Sequence, residues 1–336
     1  MTAGTASPER WTFGHLPALD GLRGVAVLLV LLSHAKLFGL PGAGQVGVTL
    51  FFVLSGFLIT SLLIDERAMS GRIHLLAFYR RRALRLLPAL VAVLAVAAIF
   101  EGWKILAPLA YVANWAIIVG IDLGLVSHTW SLSVEEHFYA LWPIAFILLP
   151  SRRMAVLVLA ATWLVSVVIR LNAAELHAMW GTDARADALV IGCLLAFWFA
   201  WRAPRVAWPL AIGAGLALAA VSTRGEREFL TTIGLSIAAI GGGVLVAWAA
   251  RRPSLLLTWA PLRWMGRVSY GLYLWHPLVY ALPIGPFAIP AALVVAGASY
   301  RWIEAPFLRM KRPARRDDRL DVPAADAGAG AGAAVR

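Results

Sequence analysis

Ten runs of sixteen to twenty predominantly apolar residues divide this chain, at 21–40, 46–64, 84–100, 133–150, 155–171, 186–201, 206–221, 230–249, 265–283 and 286–303. A helix crosses a bilayer core with about 20 apolar residues, so the runs are read as membrane spans. With 61% apolar and only 14% charged residues and a mean hydropathy of +0.77, the composition lies far from that of soluble domains. The predicted fold class is an all-α integral membrane protein of about ten transmembrane helices.

Basic residues set the orientation. The segment "WKILAPLAYVANWAIIVGIDLGLV" (103–126) is an eleventh candidate span, interrupted by Lys104, Pro108, Asn114 and Asp122. If it does not cross, an N-in chain places the basic stretches at 80–85, 151–154, 201–205, 250–253 and 309–316 all on the cytoplasmic side, as the positive-inside rule requires. If it crosses, every later loop changes sides. Residues 103–126 are therefore predicted to form a re-entrant or interfacial element between spans three and four, shielded from lipid by protein. The first residues lack the apolar core and cleavage site of a removable signal, so 21–40 is read as a retained span. The expected organisation is a cytoplasmic tail (1–18), a transmembrane domain (19–312) and a disordered cytoplasmic tail (313–336), in a plasma (inner) membrane with both termini inside. The formal charge of +12 comes from residues between apolar runs, which points to membrane lipids and away from nucleic acid. The single cysteine, Cys193, excludes an internal disulfide framework and reads as a buried hydrophobe.

Two ionisable residues interrupt "DGLRGVAVLLVLLSH" (20–34): Arg23 and, eleven residues on, His34. In a helix that spacing amounts to roughly 16 Å of rise and about 20° of rotation, which places both on one face with His34 about halfway across. Asp20 precedes Arg23 by three residues and can pair with it. Arg23 alone also suits a snorkelling, orientation-setting arginine. A histidine deep in a span usually faces a polar interior, and a neutral imidazole is a natural general base, although a histidine bonded between helices is the alternative.

Other polar groups cluster at span ends. "FYRRRALRLLP" places Arg80, Arg81, Arg82 and Arg85 at the mouth of span three, where they suit either a ligand with several phosphates or anionic headgroups. In "HTWSLSVEEHFYALWP" (128–143), Ser133 and Glu136 have capping-box spacing, while Glu135, Glu136 and His137 put three ionisable groups inside an apolar run. No metal-ligand spacing is present. Arg170, Arg185 and Asp187 bracket an outward loop, as an acceptor entrance or as paired interface charges. His276 precedes Pro277 inside span nine, and this proline frees a carbonyl that a neighbour must satisfy. Glu304 closes span ten.

Taken in order, "LDGLRGVAVLLVLLSH", "GVTLFFVLSGFLIT", "FYRRRALRLLP", "YVANW", "TWSLSVEEHFY", "SYGLYLWHP" and "RWIEAPF" resemble the acyltransferase 3 family of integral membrane acyltransferases, from about Ala18 to Arg309. The resemblance implies transfer of an acyl group, acetyl above all, from cytoplasmic acyl-CoA to a hydroxyl of an exported carbohydrate or glycoside. Acyl-CoA would be a co-substrate, with no tightly bound cofactor. It makes His34 the candidate catalytic residue with Arg23 as its motif partner, assigns Arg80, Arg81 and Arg82 to the CoA phosphates with Arg85 beside them, and makes Glu304 an essential acid. Glu136 joins the catalytic candidates; Asp20, Glu135, His276, Trp130 and Ser131 complete the set. The chain departs from the family at His137, where a glutamine is usual. His34 would either deprotonate the acceptor hydroxyl or carry the acyl group transiently. The alternative class is a polytopic transporter or proton-coupled exporter, because intramembrane ionisable residues also mark ion pathways.

Overall fold

A computed structural model of the chain describes residues 16–202, 205–252 and 254–310. Most of the two predicted tails therefore lies outside the described residues. Among the described residues every regular element is helical. Seven helical stretches are long and apolar enough to cross a membrane, and the chain is a multi-pass membrane protein.

The first three helices are α1 (Pro17–His34), α2 (Ala43–Ser70) and α3 (Leu75–Glu101). Short pieces follow: a 3₁₀ turn (Gly102–Ile105), α4 (Leu106–Leu109), α5 (Ala113–Ile118) and a second 3₁₀ turn (Gly124–Thr129). Then come α6 (Trp130–Leu148), α7 (Arg152–Asn172), α8 (Glu175–Trp180), α9 (Thr182–Arg202) and α10 (Trp208–Ser222). The remainder is α11 (Arg227–Phe229), a π-helical turn (Leu230–Gly234), α12 (Leu235–Arg251), α13 (Ala260–Arg267), α14 (Ser269–Tyr280), a 3₁₀ turn (Gly285–Phe287), α15 (Ala288–Ser299), a π-helical turn (Tyr300–Glu304) and α16 (Ala305–Arg309).

Each of the ten apolar runs falls on helix, but three boundaries differ from expectation. α1 stops at His34 instead of continuing to residue 40, because Lys36, Phe38 and Gly39 adopt positive φ and turn the chain back before Pro41. His34 is thus the last residue of α1, not a mid-helix residue. Run 265–283 is two helices, α13 and α14, meeting at Val268. The capping box is absent: α6 begins three residues earlier, and Ser133 lies inside it, donating to the Thr129 carbonyl and accepting from the Ala113 N–H.

Glycines permit the tightest approaches. A Cβ at Gly21, Gly24 or Gly266 would collide with the carbonyl oxygens of Leu257, Leu262 and Asp20, respectively. The glycines of "DGLRG" therefore let the stretch around Leu257 and α13 lie directly on α1, in the manner of small-residue membrane interfaces. α2 is the central helix. Of its apolar stretch 72% is buried, against 17–28% for the outward-facing stretches at Leu75–Leu109, Arg152–Asn172 and Gly285–Arg309.

Contacts also pair the helix ends. At one end Arg67 donates to the Ile147 carbonyl, the Arg152 guanidinium lies 4.9 Å from the Trp201 ring centroid, and Arg205, Arg251 and Arg252 share a recess. At the other end the Gly42 N–H donates to the Ser222 carbonyl and the Leu125 N–H donates to Glu101.

Arg170, Arg185 and Asp187 are buried inside the bundle, so the paired-charge alternative describes them. Arg170 and Asp187 form an ion pair at 2.6 Å, with side chains 0% and 2% exposed. Arg170 also donates to Ser236 and to the Thr231 and Ala184 carbonyls. Arg185 donates to Gln45 and Thr49. Removing one member strands a desolvated charge, so Asp187→Leu is expected to cost about 3–5 kcal/mol. Pairing it with Arg170→Met recovers most of that loss, and thermal unfolding of the detergent-solubilised protein reads both.

Candidate active site

A cavity of about 1460 Å³ lies within the bundle of described residues. Its outer end lies among the exposed residues Met69, His74 and Arg80, beside Arg81, and it climbs along α2 as far as Val48 and Phe52. From residue 70 to residue 48 is about 33 Å of helix rise.

All four arginines of the "YRRRALR" stretch line this cavity. Their mutual repulsion is eased by specific neighbours. Arg81 donates to Glu66 at 3.3 Å, which also bonds His74, and the Arg82 guanidinium sits 4.3 Å from the Tyr139 ring centroid and 5.8 Å from that of Phe78. Guanidinium groups carry forked donors that match phosphate oxygens, so four of them along one cavity suit a polyanion.

Farther in, Arg23 and Glu135 both line the wall. Glu135 accepts a hydrogen bond from Ser55, which in turn accepts from the Tyr139 hydroxyl at 2.8 Å. Glu135 and Tyr139 are four residues apart on α6 and so share a face. That spacing could have flagged Tyr139; nothing in the sequence marked Ser55.

The cavity closes at Ser131 and Tyr273, both of which line it. Their hydroxyls are 2.7 Å apart, and the Tyr273 O–H donates to the His128 carbonyl at 2.7 Å. Tyr273 has one proton, so Ser131 is the donor within the pair. Trp130, the next residue, is buried away from the cavity against Phe52 and Trp180, with Arg185 over its ring.

His34 does not line the cavity. It is exposed beyond the closed end, and Gly44 packs against Ser33 and His34, which sets His34 level with the start of α2. The cavity reaches Val48, four residues or about 6 Å of rise from that level. His34 Nδ1 lies 2.9 Å from the Val30 carbonyl oxygen. A carbonyl only accepts, so Nδ1 carries a proton, and in the neutral ring Nε2 presents the lone pair.

Two further histidines adjoin it. The His276 ring centroid is 4.9 Å from that of His34, and the His128 centroid is 5.4 Å from that of His276. His128 carried no expectation of its own, although it opens "HTWSLSVEEHFY". Among the described residues no group of three His, Cys, Asp or Glu side chains is placed to hold a metal ion.

The remaining candidates do not line the cavity, although Asp20, Glu136 and Glu304 lie within electrostatic range of Arg23, Arg82 and Arg85, which do. Asp20 lies in the first turn of α1. Glu136 is half-buried. His137 bonds Thr182 at 2.8 Å, the partner of the imidazole that stands where the family usually has an amide. Glu304 is 4% exposed, brought to Gly271 of α14 by the π-helical turn that ends in it. Such turns add a residue per hydrogen-bonded ring and recur at functional sites.

The model of a family described as an acyltransferase domain matches residues 16–298. The chain belongs to the acyltransferase 3 family. The chain is 30% identical to peptidoglycan O-acetyltransferase OatA of Listeria monocytogenes, over 88% of its own length and 56% of the relative's. It is 32% identical to O-acetyltransferase OatA of Staphylococcus aureus, over 87% and 57%. A putative peptidoglycan O-acetyltransferase of Bacillus subtilis, YrhL, is 30% identical over 87% and 55%. The chain thus spans little more than half the length of these curated relatives. No solved structure matches it.

Proposed function

We propose that this acyltransferase moves an acetyl group from acyl-CoA, held on the arginine side of the bundle, to a carbohydrate hydroxyl presented on the His34 side. The observation that carries this reading is the two-ended path: a deep cavity with four arginines at its open end stops about one helical turn short of an exposed histidine. Peptidoglycan is the acceptor named for the Listeria relative and is the acceptor proposed here.

The arginine end is assigned to the cytoplasm of a ten-span chain in the plasma membrane, with both termini inside. The clustering of Arg67, Arg152, Arg205, Arg251 and Arg252 at one end of the bundle supports this orientation. In that frame Arg80, Arg81, Arg82 and Arg85 hold the CoA phosphates, and the thioester extends past Arg23 and Glu135 toward Ser131 and Tyr273. The Nε2 lone pair of His34 takes the proton of the acceptor hydroxyl as its oxygen attacks the thioester carbonyl; the thiolate that leaves takes that proton back. A transient acyl group on Nε2 starts from the same lone pair.

Mass spectrometry of cell-envelope glycans from cells with and without the protein tests the proposal. Muropeptides 42 Da heavier only when the protein is present support it, at the mass of one added acetyl. Unchanged glycan masses with altered efflux of a small molecule would instead support a transporter.

A further inference from the structure

The closed end of the cavity is built from unlike walls. On one side Ser131 donates to the Tyr273 hydroxyl and Tyr273 to the His128 carbonyl, both at 2.7 Å, so that wall is pinned by its own hydrogen bonds. Phe52 is held as well, edge-on to Trp130 at 6.1 Å between ring centroids, with the Arg185 guanidinium 5.6 Å from its ring. The first residue of α2 to line the cavity is Val48. Valine branches at Cβ and holds one preferred rotamer in a helix. Val48 is 6% exposed, so its isopropyl group is a fixed stop.

The packing behind Val48 shows what it stands in front of. A Cβ at Gly47 would collide with the Ala26 carbonyl oxygen and with the Val30 side chain, so α2 lies directly on α1 at this level. Val30 is also the residue whose carbonyl accepts from His34 Nδ1. One turn before Val48, Gly44 packs against Ser33 and His34. Residues 44 and 48 share a face of α2. Val48 therefore stands between the end of the cavity and the level of His34.

A donor that enters from the arginine end arrives acyl group first. Each methylene added ahead of the thioester carbonyl holds that carbon back from the stop by roughly 1.2 Å, the advance per bond of an extended chain. Attack needs the reacting atoms about 3–3.5 Å apart, and a misplacement of about 1 Å costs on the order of 100-fold in rate. An acetyl group puts only a methyl between its carbonyl carbon and Val48, and so brings that carbon nearest to the His34 side.

We propose that Val48 sets the acyl length this acyltransferase transfers. Its side chain is the stop that admits an acetyl group and holds longer acyl groups short of the position for attack. This inference rests on the reading of the cavity as the acyl-CoA site.

Full-length protein in nanodiscs, assayed with an acceptor glycan and with acetyl-, propionyl- or butyryl-CoA, tests it. The wild type is expected to favour acetyl by about 10- to 200-fold per added methylene, the range over which one methylene is discriminated in an apolar pocket. Val48→Ala removes two methyl groups from the stop and is expected to raise kcat/KM for propionyl-CoA relative to acetyl-CoA by about 10-fold or more. Val48→Leu lengthens the stop and is expected to lower acetyl transfer, while affinity for free CoA, which carries no acyl group, stays at the wild-type value. A merely structural role would lower transfer from all three donors together.

Unchanged selectivity in both variants overturns the inference, as does a parallel loss with all three donors. If Val48→Ala does not accumulate, Val48→Leu and Val48→Ile carry the test from the opposite direction, with butyryl-CoA penalised further and free CoA still bound. Failure of the wild type to bind free CoA overturns the reading of the cavity, and the inference falls with it. Normal CoA binding and acetyl transfer with donor ratios that no Val48 variant moves overturn only the inference about Val48.

Discussion

Replacing His34 by alanine is expected to lower acyl transfer by about 10²- to 10⁴-fold, the contribution typical of a positioned general base. The protein should still insert, because the side chain is exposed at the end of α1 and supports no core. The donor KM should hold, because the arginine mouth lies at the far end of a cavity that His34 does not line. Single-turnover transfer from radiolabelled acetyl-CoA to an acceptor glycan, in purified protein shown folded by its melting profile, measures the effect. A loss confined to kcat places His34 at the chemical step. A rate near that of the wild type would move the base elsewhere, and the Ser131–Tyr273 pair at the closed end of the cavity would be the first place to look.

The second large effect is expected at the other end. Changing Arg80, Arg81 and Arg82 together to glutamine should weaken acyl-CoA binding by about 100-fold, since each arginine–phosphate contact is a charge-assisted hydrogen bond. Arg80 is exposed and Arg81 is partly neutralised by Glu66, so most of the loss is assigned to Arg82, and the retained Arg85, half-buried like Arg82, sets the residual affinity. The slope of log affinity against log salt should flatten as three cations are removed. Calorimetric titration with a non-hydrolysable acyl-CoA analogue at two salt concentrations reads both changes. If affinity is unchanged while insertion or orientation suffers, the cluster serves the membrane surface.

A good part of this was legible in the residues. The apolar runs named the helices because burial in lipid demands a length that tertiary contacts do not alter. The arginine cluster was visible as adjacent charges on one helix, and the Arg23 and His34 spacing pointed at one face. A carbonyl freed by Pro277 was expected to need a donor; it is that of Tyr273, and the His276 ring provides the donor. Other features were hidden. The end of α1 at His34 depends on left-handed turns at Lys36 and Phe38, which are not glycines and give no local signal. The capping-box spacing at Ser133 was a coincidence of residues inside a helix. His128 carried no mark until the fold set its ring against His276.

Sequence alone determined that the chain is a helical membrane protein of the acyltransferase 3 type, with an arginine-rich end and a histidine eleven residues beyond an arginine. Those properties reside in single helices, where period and hydropathy suffice. Tertiary structure decided that Arg23, Glu135, Ser131 and Tyr273 share one cavity, that this cavity stops short of His34, and that Arg170 with Asp187 are internal supports. It also set three imidazoles from different elements side by side. These are contacts between residues far apart in the chain, created by glycine-permitted helix approaches and buried polar pairs, and no local pattern encodes which distant side chain will be the neighbour.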